Sequence, residues 1–327
     1  MLSNSPLLDK LQQYFADDGL VKTEVVQTLW SGYGEITRFY SPKKRISLIV
    51  KCISPPAQLE HPRGWNTQSS HNRKLQSYQI ESHFYRDYQS QCDDLCRVPQ
   101  FLTGFNLGAE HVIVLEDLDA AYFSIRKASV TLQDVYLGVK WLAHFHGRFL
   151  GNSGHGLWPI GCYWHLGTRK DEFIKMEEGK LKQKAQQIDN LLNQAEFQTL
   201  VHGDAKVANF CFPDDGQSNT LAAVDFQYVG RGIGVKDLAY FLGGCLDQQE
   251  LLKYENKLLA LYFEELGKAC LHYQVAVDIS AVEAQWRELY PLAWADFHRF
   301  LLGWAPEHFK INTYMQRQTD LALSRLA

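Results

Sequence analysis

Residues 200–210 read LVHGDAKVANF, and this stretch decides the fold. It places a histidine, a carboxylate, a lysine and an amide within eight positions of an otherwise apolar run. These side chains are His202, Asp204, Lys206 and Asn209. The residues that follow in the sequence indicate which chemistry would use all four side chains.

A β-hairpin is predicted immediately after this stretch. Residues 209–226 contain two short apolar runs, NFCF and TLAAVDF, around the turn-rich segment PDDGQSN. Antiparallel pairing then brings Asn209 and Asp225 approximately opposite each other at the open end of the hairpin. An amide carbonyl and a carboxylate are hard ligands that suit Mg²⁺, which fills its remaining positions with phosphate and water. The pair therefore indicates a magnesium-bound nucleotide.

The other polar residues of the stretch have complementary roles around such a nucleotide. Asp204 lies on the loop just before the hairpin, close enough to the metal-bound phosphate to accept a proton from a hydroxyl group. Lys206 supplies positive charge for the phosphoryl group during transfer. His202 positions the loop through hydrogen bonds to its backbone. An isolated pattern of this kind would suit a surface loop equally well, so the interpretation depends on the rest of the chain.

The composition is that of an ordinary soluble globular protein. The 327 residues are 46% hydrophobic and carry a formal net charge of −4, without a dense block of Lys and Arg. Nucleic acid is therefore not an expected partner. The N-terminal sequence lacks a basic segment followed by an apolar run, and no window reaches the roughly 18 apolar residues of a membrane span. No membrane partner and a cytoplasmic location are expected.

Seven scattered cysteines predict reduced, buried thiols and no disulfide framework. Only Cys92 and Cys96 lie close together, and no second Cys or His pair stands at zinc-finger spacing. Metal–thiolate chemistry is therefore not expected.

The first third of the chain is predicted to be mixed α/β. After a short N-terminal helix, the strands VVQTLW and EITRFY flank a turn at residues 31–34. The alternating run RISLIVKCI places Lys51 on the next strand. A helical stripe from residues 70 to about 89 carries Glu81, and HVIVLEDL, residues 111–118, forms a further strand.

The remainder is predicted to be mainly helical. Thr131 and Asp134 form a capping-box-like helix start. Further helical runs are predicted near residues 170–198, 236–243, 247–266 and 279–303. The change in character near Asp117 predicts two domains, an N-terminal nucleotide-binding lobe at 1–118 and a C-terminal catalytic and substrate-binding lobe at 119–327.

Several segments follow one another in an order known from one group of enzymes. They are VLEDL at 114–118, WLAHFHG at 141–147, HGD at 202–204 with Asn209, VDF at 224–226 and DLA at 237–239. On these segments the chain resembles the aminoglycoside phosphotransferase, choline kinase and ecdysteroid kinase-like enzymes, small-molecule relatives of the protein kinases. The resemblance implies an α+β, protein-kinase-like bilobal fold with an N-terminal antiparallel sheet lobe and a mainly helical C-terminal lobe. It also implies ATP and Mg²⁺ as cofactors.

The resemblance implies roles for residues upstream of the 202–209 loop. Lys51 would contact the α- and β-phosphates of ATP and be held by Glu81. Gly32 and Gly34 occupy the place of the glycine-rich phosphate cover. Taken alone, Lys51 would also suit a solvated edge strand, and Glu81 a solvated helix face.

The segment VLEDL resembles the linker between the two lobes. Its backbone near Glu116 and Leu118 would pair with adenine. The preference between ATP and GTP and the oligomeric state stay open.

The predicted acceptor is a hydroxyl group of a small metabolite. Only Gln227 and YVGRGIGVK separate the VDF segment from the helix that begins at Asp237, which is too little chain for the peptide platform of a protein kinase. Choline-like amines, sterol-like alcohols and sugars are all compatible. The alternative is a nucleotide-binding pseudokinase that acts as an interaction scaffold, because a sequence does not demonstrate turnover.

Three features near the predicted site have competing interpretations. His144 and His146 point to different sides of a helix, so we expect no metal there, and a structural role for His146 and Asp237. Aromatic and apolar residues recur at helical spacing near the C-terminus, as a core stripe or as an acceptor wall. The stripe consists of Trp286, Tyr290, Trp294, Phe297, Leu301 and Trp304. The charges of residues 279–327 are mixed, which does not favour a polycationic acceptor.

Overall fold

The computed structural model describes residues 5–29, 32–55, 68–214 and 220–326, and its N-terminal part is built on an antiparallel sheet. Helix α1, Pro6–Phe15, comes first and is capped by the Ser5 hydroxyl, which accepts a hydrogen bond from the Leu8 N–H at 3.3 Å. Five strands follow in the order β1-β2-β3-β5-β4. They are β1 (Val21–Thr28), β2 (Gly34–Ser41), β3 (Ile46–Ile53), β4 (Phe101–Leu107) and β5 (Glu110–Glu116).

Strand β3 is central in this sheet. Lys51 is paired with Ile36 of β2 on one side and with Ile113 of β5 on the other. The interpretation of Lys51 as a solvated edge-strand residue is therefore wrong. The sequence did not predict β4, FLTGFNL, because Thr103, Gly104 and Asn106 interrupt its apolar residues and none of the strand is fully buried.

Helix α2, Gln68–Asp87, carries Glu81 on a buried face, so the solvated-face interpretation of this carboxylate is wrong as well. Phe84 of the same helix stacks on Phe226, with ring centroids 3.9 Å apart. This stack carries the main apolar core from the sheet lobe into the helical part of the chain. The division into 1–118 and 119–327 stays a prediction.

Beyond residue 130 the described chain is mainly helical. The Thr131 capping box is confirmed, because Thr131 Oγ1 accepts the Asp134 N–H at 3.3 Å and Asp134 Oδ2 accepts the Thr131 N–H at 2.8 Å. The helices are α3 (Leu132–Arg148), α4 (Lys170–Lys175), α5 (Lys180–Asn193), α6 (Val235–Cys245), α7 (Gln248–His272), α8 (Ile279–Trp304) and α9 (Thr313–Ser324). The run predicted near 170–198 is thus two helices, and α9 was not predicted. Within the described residues, no helix combines the length and apolar character that crossing a bilayer requires.

Two short strand pairs flank the 202–209 loop. The predicted hairpin is confirmed, since β7 (Phe210–Cys211) pairs antiparallel with β8 (Ala222–Ala223). Before the loop, β6 (Thr199–Val201) pairs with β9 (Gly230–Gly232). The predicted fold class, an N-terminal antiparallel sheet lobe with a mainly helical C-terminal lobe, is confirmed. Ser31 of the predicted 31–34 turn and residues 215–219 of the predicted hairpin turn lie outside the described residues.

Candidate active site

The backbone of the 202–209 loop is held by Asp237, in the first turn of α6. The Asp237 carboxylate accepts the N–H of His202 at 2.5 Å and the N–H of Gly203 at 3.0 Å. His146 Nε2 lies 3.2 Å from the same carboxylate, and His146 Nδ1 lies 2.7 Å from the Tyr262 hydroxyl. The structural roles expected for Asp237 and His146 are therefore confirmed.

Gly203 is required by its backbone conformation and by its neighbours. Its φ of +81° lies in the left-handed region, which favours glycine. A Cβ atom at this position would lie 2.2 Å from the Tyr228 carbonyl oxygen. Any residue larger than glycine at position 203 would therefore clash with the Tyr228 backbone.

The His202 ring links the loop to the segment that carries Asp225. Its Nδ1 accepts the Asp204 N–H at 3.2 Å, so the ring proton is on Nε2, which donates to the Val224 carbonyl oxygen at 3.0 Å. Both bonds go to backbone atoms, as predicted for a residue that positions the loop.

Asp204 is 6% exposed and accepts hydrogen bonds from three side chains. Lys206 Nζ donates to Oδ2 at 2.8 Å, and Asn209 Nδ2 donates to the same oxygen at 3.2 Å. The Tyr240 hydroxyl of α6 donates to Oδ1 at 2.9 Å. These donors fix the orientation of the carboxylate, and Tyr240 is a partner that the sequence analysis did not identify.

Lys206 keeps its charge beside this carboxylate. Burial alone would lower the pKa of the Lys206 ammonium, but Asp204 outweighs it and raises this pKa above its ordinary value. The side chain is still 43% exposed, so its charge can reach a ligand in the cleft.

Asn209 and Asp225 lie at the open end of the hairpin, displaced by one position from the predicted pairing. The Val224 N–H donates to the Asn209 carbonyl oxygen at 2.9 Å, so Asp225 follows the residue opposite Asn209. The Asn209 side-chain nitrogen donates to the Asp204 backbone oxygen at 2.8 Å, which turns Asn209 Oδ1 away from the loop. One amide oxygen and one carboxylate suit Mg²⁺, which retains water and phosphate ligands.

Larger metal-binding clusters are absent from the described residues, where no three His, Cys, Asp or Glu side chains converge.

Asp225 has a strained backbone and a basic environment. Its φ is +70°, which is uncommon for a residue other than glycine. Gln227 Nε2 donates to Asp225 Oδ1 at 2.6 Å, and Lys51 Nζ lies 3.7 Å from the same oxygen. Burial alone would raise the pKa of the Asp225 carboxyl, but the charges of Lys51, Lys206 and Lys74 outweigh it and lower this pKa. The group is therefore a carboxylate near neutral pH.

Lys51 and Glu81 form the predicted ion pair. Lys51 Nζ lies 2.6 Å from Glu81 Oε2, and both side chains are buried. Burial alone would lower the pKa of the Lys51 ammonium, but Glu81 and Asp225 outweigh it and raise this pKa above its ordinary value. Lys51 therefore remains a cation beside Asp225.

Gln227 ties helix α2 to this carboxylate. Its Oε1 accepts from Lys74 Nζ at 3.0 Å and from the Ser77 hydroxyl at 3.1 Å, while its Nε2 donates to Asp225. The position of α2, which carries Glu81, is thereby coupled to the orientation of Asp225.

Gly32 lies in the turn before β2, and Gly34 is the first residue of β2. Gly32 has a φ of +71°, and no atom of the described residues lies within 4 Å of the position that a Cβ would take. Gly34 has a φ of +124°, and a Cβ there would lie 2.0 Å from the Cys52 carbonyl oxygen of β3. Packing against β3 is thus sufficient reason for glycine at position 34.

Glu116 and Leu118 lie at the edge of the sheet lobe. The Glu116 carboxylate pairs with Arg97 Nη2 at 2.5 Å and 2.6 Å, and its backbone N–H donates to the Gln100 carbonyl oxygen at 2.9 Å. Leu118 packs with Cys211 and Ala222 of the hairpin in a small apolar cluster. The linker and the hairpin therefore share one apolar surface.

The C-terminal stripe is core and not an acceptor wall. All of its members except Trp304 are at most 3% exposed. His144 is also buried, with Nε2 3.1 Å from Glu265 Oε2, and burial lowers its pKa. His144 and His146 therefore each have a carboxylate partner within the described residues.

Comparison with protein families supports the resemblance that the sequence indicates. The sequence model of the ecdysteroid kinase-like family matches residues 163–275, which include the 202–209 loop, the hairpin and Asp237. No curated protein matches the chain in sequence.

Several solved structures are similar to this one over most of their length. A microcompartment-associated aminopropanol kinase has 12% identity and a TM-score of 0.47, covering 97% of this chain and 93% of that chain. A putative fructosamine-3-kinase from Haemophilus somnus 129PT has 12% identity and a TM-score of 0.48, covering 98% of this chain and 96% of that chain. An aminoglycoside phosphotransferase from Streptomyces rimosus ATCC10970, in complex with ADP and streptomycin, has 16% identity and a TM-score of 0.45. The similarity covers 90% of this chain and 100% of that chain.

Proposed function

We propose that the protein is an ATP-dependent phosphotransferase that moves the γ-phosphate to a hydroxyl group of a small metabolite. One observation carries the proposal: Lys51 Nζ lies 2.6 Å from Glu81 and 3.7 Å from Asp225. A strand, a helix and the hairpin thus bring a cation and a metal-type carboxylate together at one point. Phosphoryl transfer requires this combination, because the protein mainly positions phosphates and compensates their charge.

The nucleotide would lie between the sheet lobe and the hairpin. Lys51 binds the α- and β-phosphates, with Glu81 holding its ammonium in place, and Gly32 and Gly34 contribute the turn above them. The backbone near Glu116 and Leu118 would pair with adenine.

Asn209 Oδ1 and Asp225 would hold Mg²⁺, which would supply positive charge to neutralise the phosphates. The orientation of both side chains supports this assignment. Asn209 donates its amide protons to Asp204, and Gln227 and Lys51 occupy only Oδ1 of Asp225. Within the described parts of the chain, one oxygen of each residue is left for the ion.

Asp204 would act as the base. The acceptor oxygen forms a bond to the γ-phosphorus, the bond from that phosphorus to the β-γ bridging oxygen breaks, and the hydroxyl proton passes to Asp204. Lys206 stabilises the charge of the transferred group, and His202 keeps the loop in position. ADP leaves with the bridging oxygen.

The acceptor is small in this proposal. Residues 229–234 are buried apart from Arg231, so this segment offers no extended platform for a peptide. A choline-like amine, a sterol-like alcohol or a sugar is the acceptor class that the sequence predicts, and a cytoplasmic location belongs to the same proposal.

A screen of hydroxylated metabolites in an assay coupled to ADP release tests the proposal. A thermal shift with Mg·ATP and with Mg·GTP serves as the control for folding and nucleotide binding. We expect a shift with nucleotide and turnover with at least one acceptor. Nucleotide binding without phosphoryl transfer to any acceptor would instead support the pseudokinase alternative, which the complete set of polar residues does not favour.

A further inference from the structure

Lys310 places a cation beside the candidate base. It lies in the segment between α8 and α9, and its half-buried side chain reaches α6. Its Nζ lies 4.5 Å from the ring centroid of Tyr240 and 5.5 Å from that of Phe297. A Cβ at position 244 would lie 3.1 Å from Nζ, so Gly244 leaves the room that the ammonium uses.

The other buried charges of this region have partners. Asp296 pairs with Arg299 at 2.8 Å and lies 3.4 Å from Lys236 Nζ. Lys310 Nζ, in contrast, has neither a hydrogen bond nor an ion pair within the described parts of the chain. Burial lowers the pKa of Lys310 to about 8. An ammonium that is partly removed from water without a counterion is costly, and aromatic rings compensate only part of that cost.

One tyrosine connects this cation to the candidate base. The Tyr240 hydroxyl donates to Asp204 Oδ1 at 2.9 Å, and the face of the same ring lies against Lys310. A molecule whose hydroxyl group reaches Asp204 therefore passes within about one ring width of the Lys310 ammonium. A ligand with a negative group there would supply the direct ion pair that Lys310 lacks within the described residues.

We propose that Lys310 binds a carboxylate or phosphate group of the acceptor, so that the acceptor is a small hydroxylated anion. The proposal rests on the proposed phosphotransferase function and narrows its acceptor class. Choline-like cations are disfavoured, because their charge would approach Lys310. Hydroxy acids, sugar acids and sugar phosphates carry both a hydroxyl group for Asp204 and an anionic group for Lys310. The transfer step is unchanged, since Lys310 only binds the anionic group.

The first test compares matched acceptors in the ADP-release assay. Each anionic compound is paired with a neutral or cationic analogue, such as a hydroxy acid with its amide or amino alcohol. We expect turnover of anionic members, and for Lys310→Met a rise in their KM of about 10- to 100-fold with little change in kcat. The KM for Mg·ATP should not change, which separates acceptor binding from nucleotide binding.

Lys253→Met is the matched control, because Lys253 also lies against a ring, that of Tyr254 at 4.9 Å, but on the exposed surface of α7. It should leave all kinetic constants unchanged. Preferred turnover of neutral or cationic acceptors, with KM unaffected by Lys310→Met, would overturn the proposal.

A second measurement does not depend on turnover. Lysines dimethylated with ¹³C give methyl NMR signals, and the Lys310 signal is assigned by its loss in Lys310→Arg. We expect it to move on titration with glycolate or inorganic phosphate, while the Lys253 signal stays fixed. A Lys310 signal that does not respond to either anion contradicts the anion site even if the chain proves to be a kinase. A response without any phosphoryl transfer would preserve the site and refute the proposed function.

Discussion

The Tyr240 hydroxyl donates a hydrogen bond to Asp204 Oδ1 at 2.9 Å, which leaves the candidate base oriented from helix α6 as well as from its own loop. Tyr240→Phe removes this bond and keeps the ring that contacts Lys310. Hydrogen bonds to charged groups contribute about 1.5–3 kcal/mol, so we expect kcat to fall about tenfold with Mg·ATP binding unchanged. Steady-state kinetics of the variant measure the loss.

Tyr314→Phe is the matched control for this prediction, because it removes a buried tyrosine hydroxyl that donates to Glu255 instead. Its kcat should equal that of the parent. Equal losses in both variants would mean that a general effect on stability, and not the orientation of Asp204, lowers the rate.

Asp204→Asn tests the base itself. The amide keeps the size of the side chain and can still accept a hydrogen bond, but it cannot take the hydroxyl proton. We expect kcat to fall by about 10²–10⁴-fold, with a smaller change in the KM of the acceptor and unchanged Mg·ATP binding. Phosphate transfer at equal rates by parent and variant would exclude Asp204 as the base.

Lys51→Ala and Glu81→Ala test the buried ion pair. Lys51→Ala should weaken ATP binding more, because it deletes the direct phosphate contact, whereas Glu81→Ala removes only the group that orients it. Titration calorimetry with Mg·ATP gives both affinities. Lys22→Ala, which breaks an exposed pair with Glu35 on the neighbouring strands, is the control and should have no effect. Unaltered ATP affinity in both ion-pair variants would rule out the phosphate role of Lys51.

Asp225→Ala tests the metal assignment. The Lys51–Glu81 pair remains in this variant, so the fold should persist while the Mg²⁺-dependent part of nucleotide binding is lost. A thermal shift with ATP, measured with Mg²⁺ and with EDTA, separates the two effects. Asp214→Ala, which removes an exposed carboxylate three residues after β7, should behave as the parent. A parent-like Mg·ATP shift in Asp225→Ala would contradict the assignment.

Short-range patterns made part of this site predictable. The turn-rich segment between two apolar runs fixed the hairpin, and therefore the proximity of Asn209 to Asp225, to within one residue. The strand alternation around Lys51 and the helical stripe around Glu81 predicted the elements that carry the ion pair. Each of these depends on neighbours in sequence, where the geometry of strands, turns and helices constrains the answer.

The contacts that were missed depend on the packing of distant elements. Tyr240 reaches Asp204 from α6, and in the sequence it is one apolar residue of a buried helix. Gln227 has no predicted role in the sequence, although its amide joins Lys74 of α2 to Asp225. Strand β4 was missed because pairing with β5 stabilises it despite a weak apolar pattern. Such contacts follow from the assembled fold and leave no local signal.

The pH dependence of the anionic acceptor follows from Lys310. The lysine binds an anion only as the ammonium, which exists below its pKa of about 8 and is lost above it. The groups that face it are Cys245 and Tyr240 of α6, and Asp204 and Lys206 of the loop. Burial raises the pKa of Cys245 to about 12 and that of Tyr240 well above its ordinary value, and the pKa of Lys206 is also raised. The protonation states of Cys245, Tyr240 and Lys206 therefore do not change between pH 7 and about 9.

We therefore expect kcat/KM for an anionic acceptor to fall as the pH rises through about 8, because this ratio reports the ionisation of the free enzyme. Lys310→Arg is the decisive variant, since a guanidinium stays charged throughout this range. If it retains anion binding, its profile should be flat where that of the parent declines. His308, whose Nδ1 accepts the Lys310 backbone N–H at 3.2 Å, is present in both proteins and cannot account for a difference between them. Profiles that decline together would assign the titration to another group and remove Lys310 from acceptor binding.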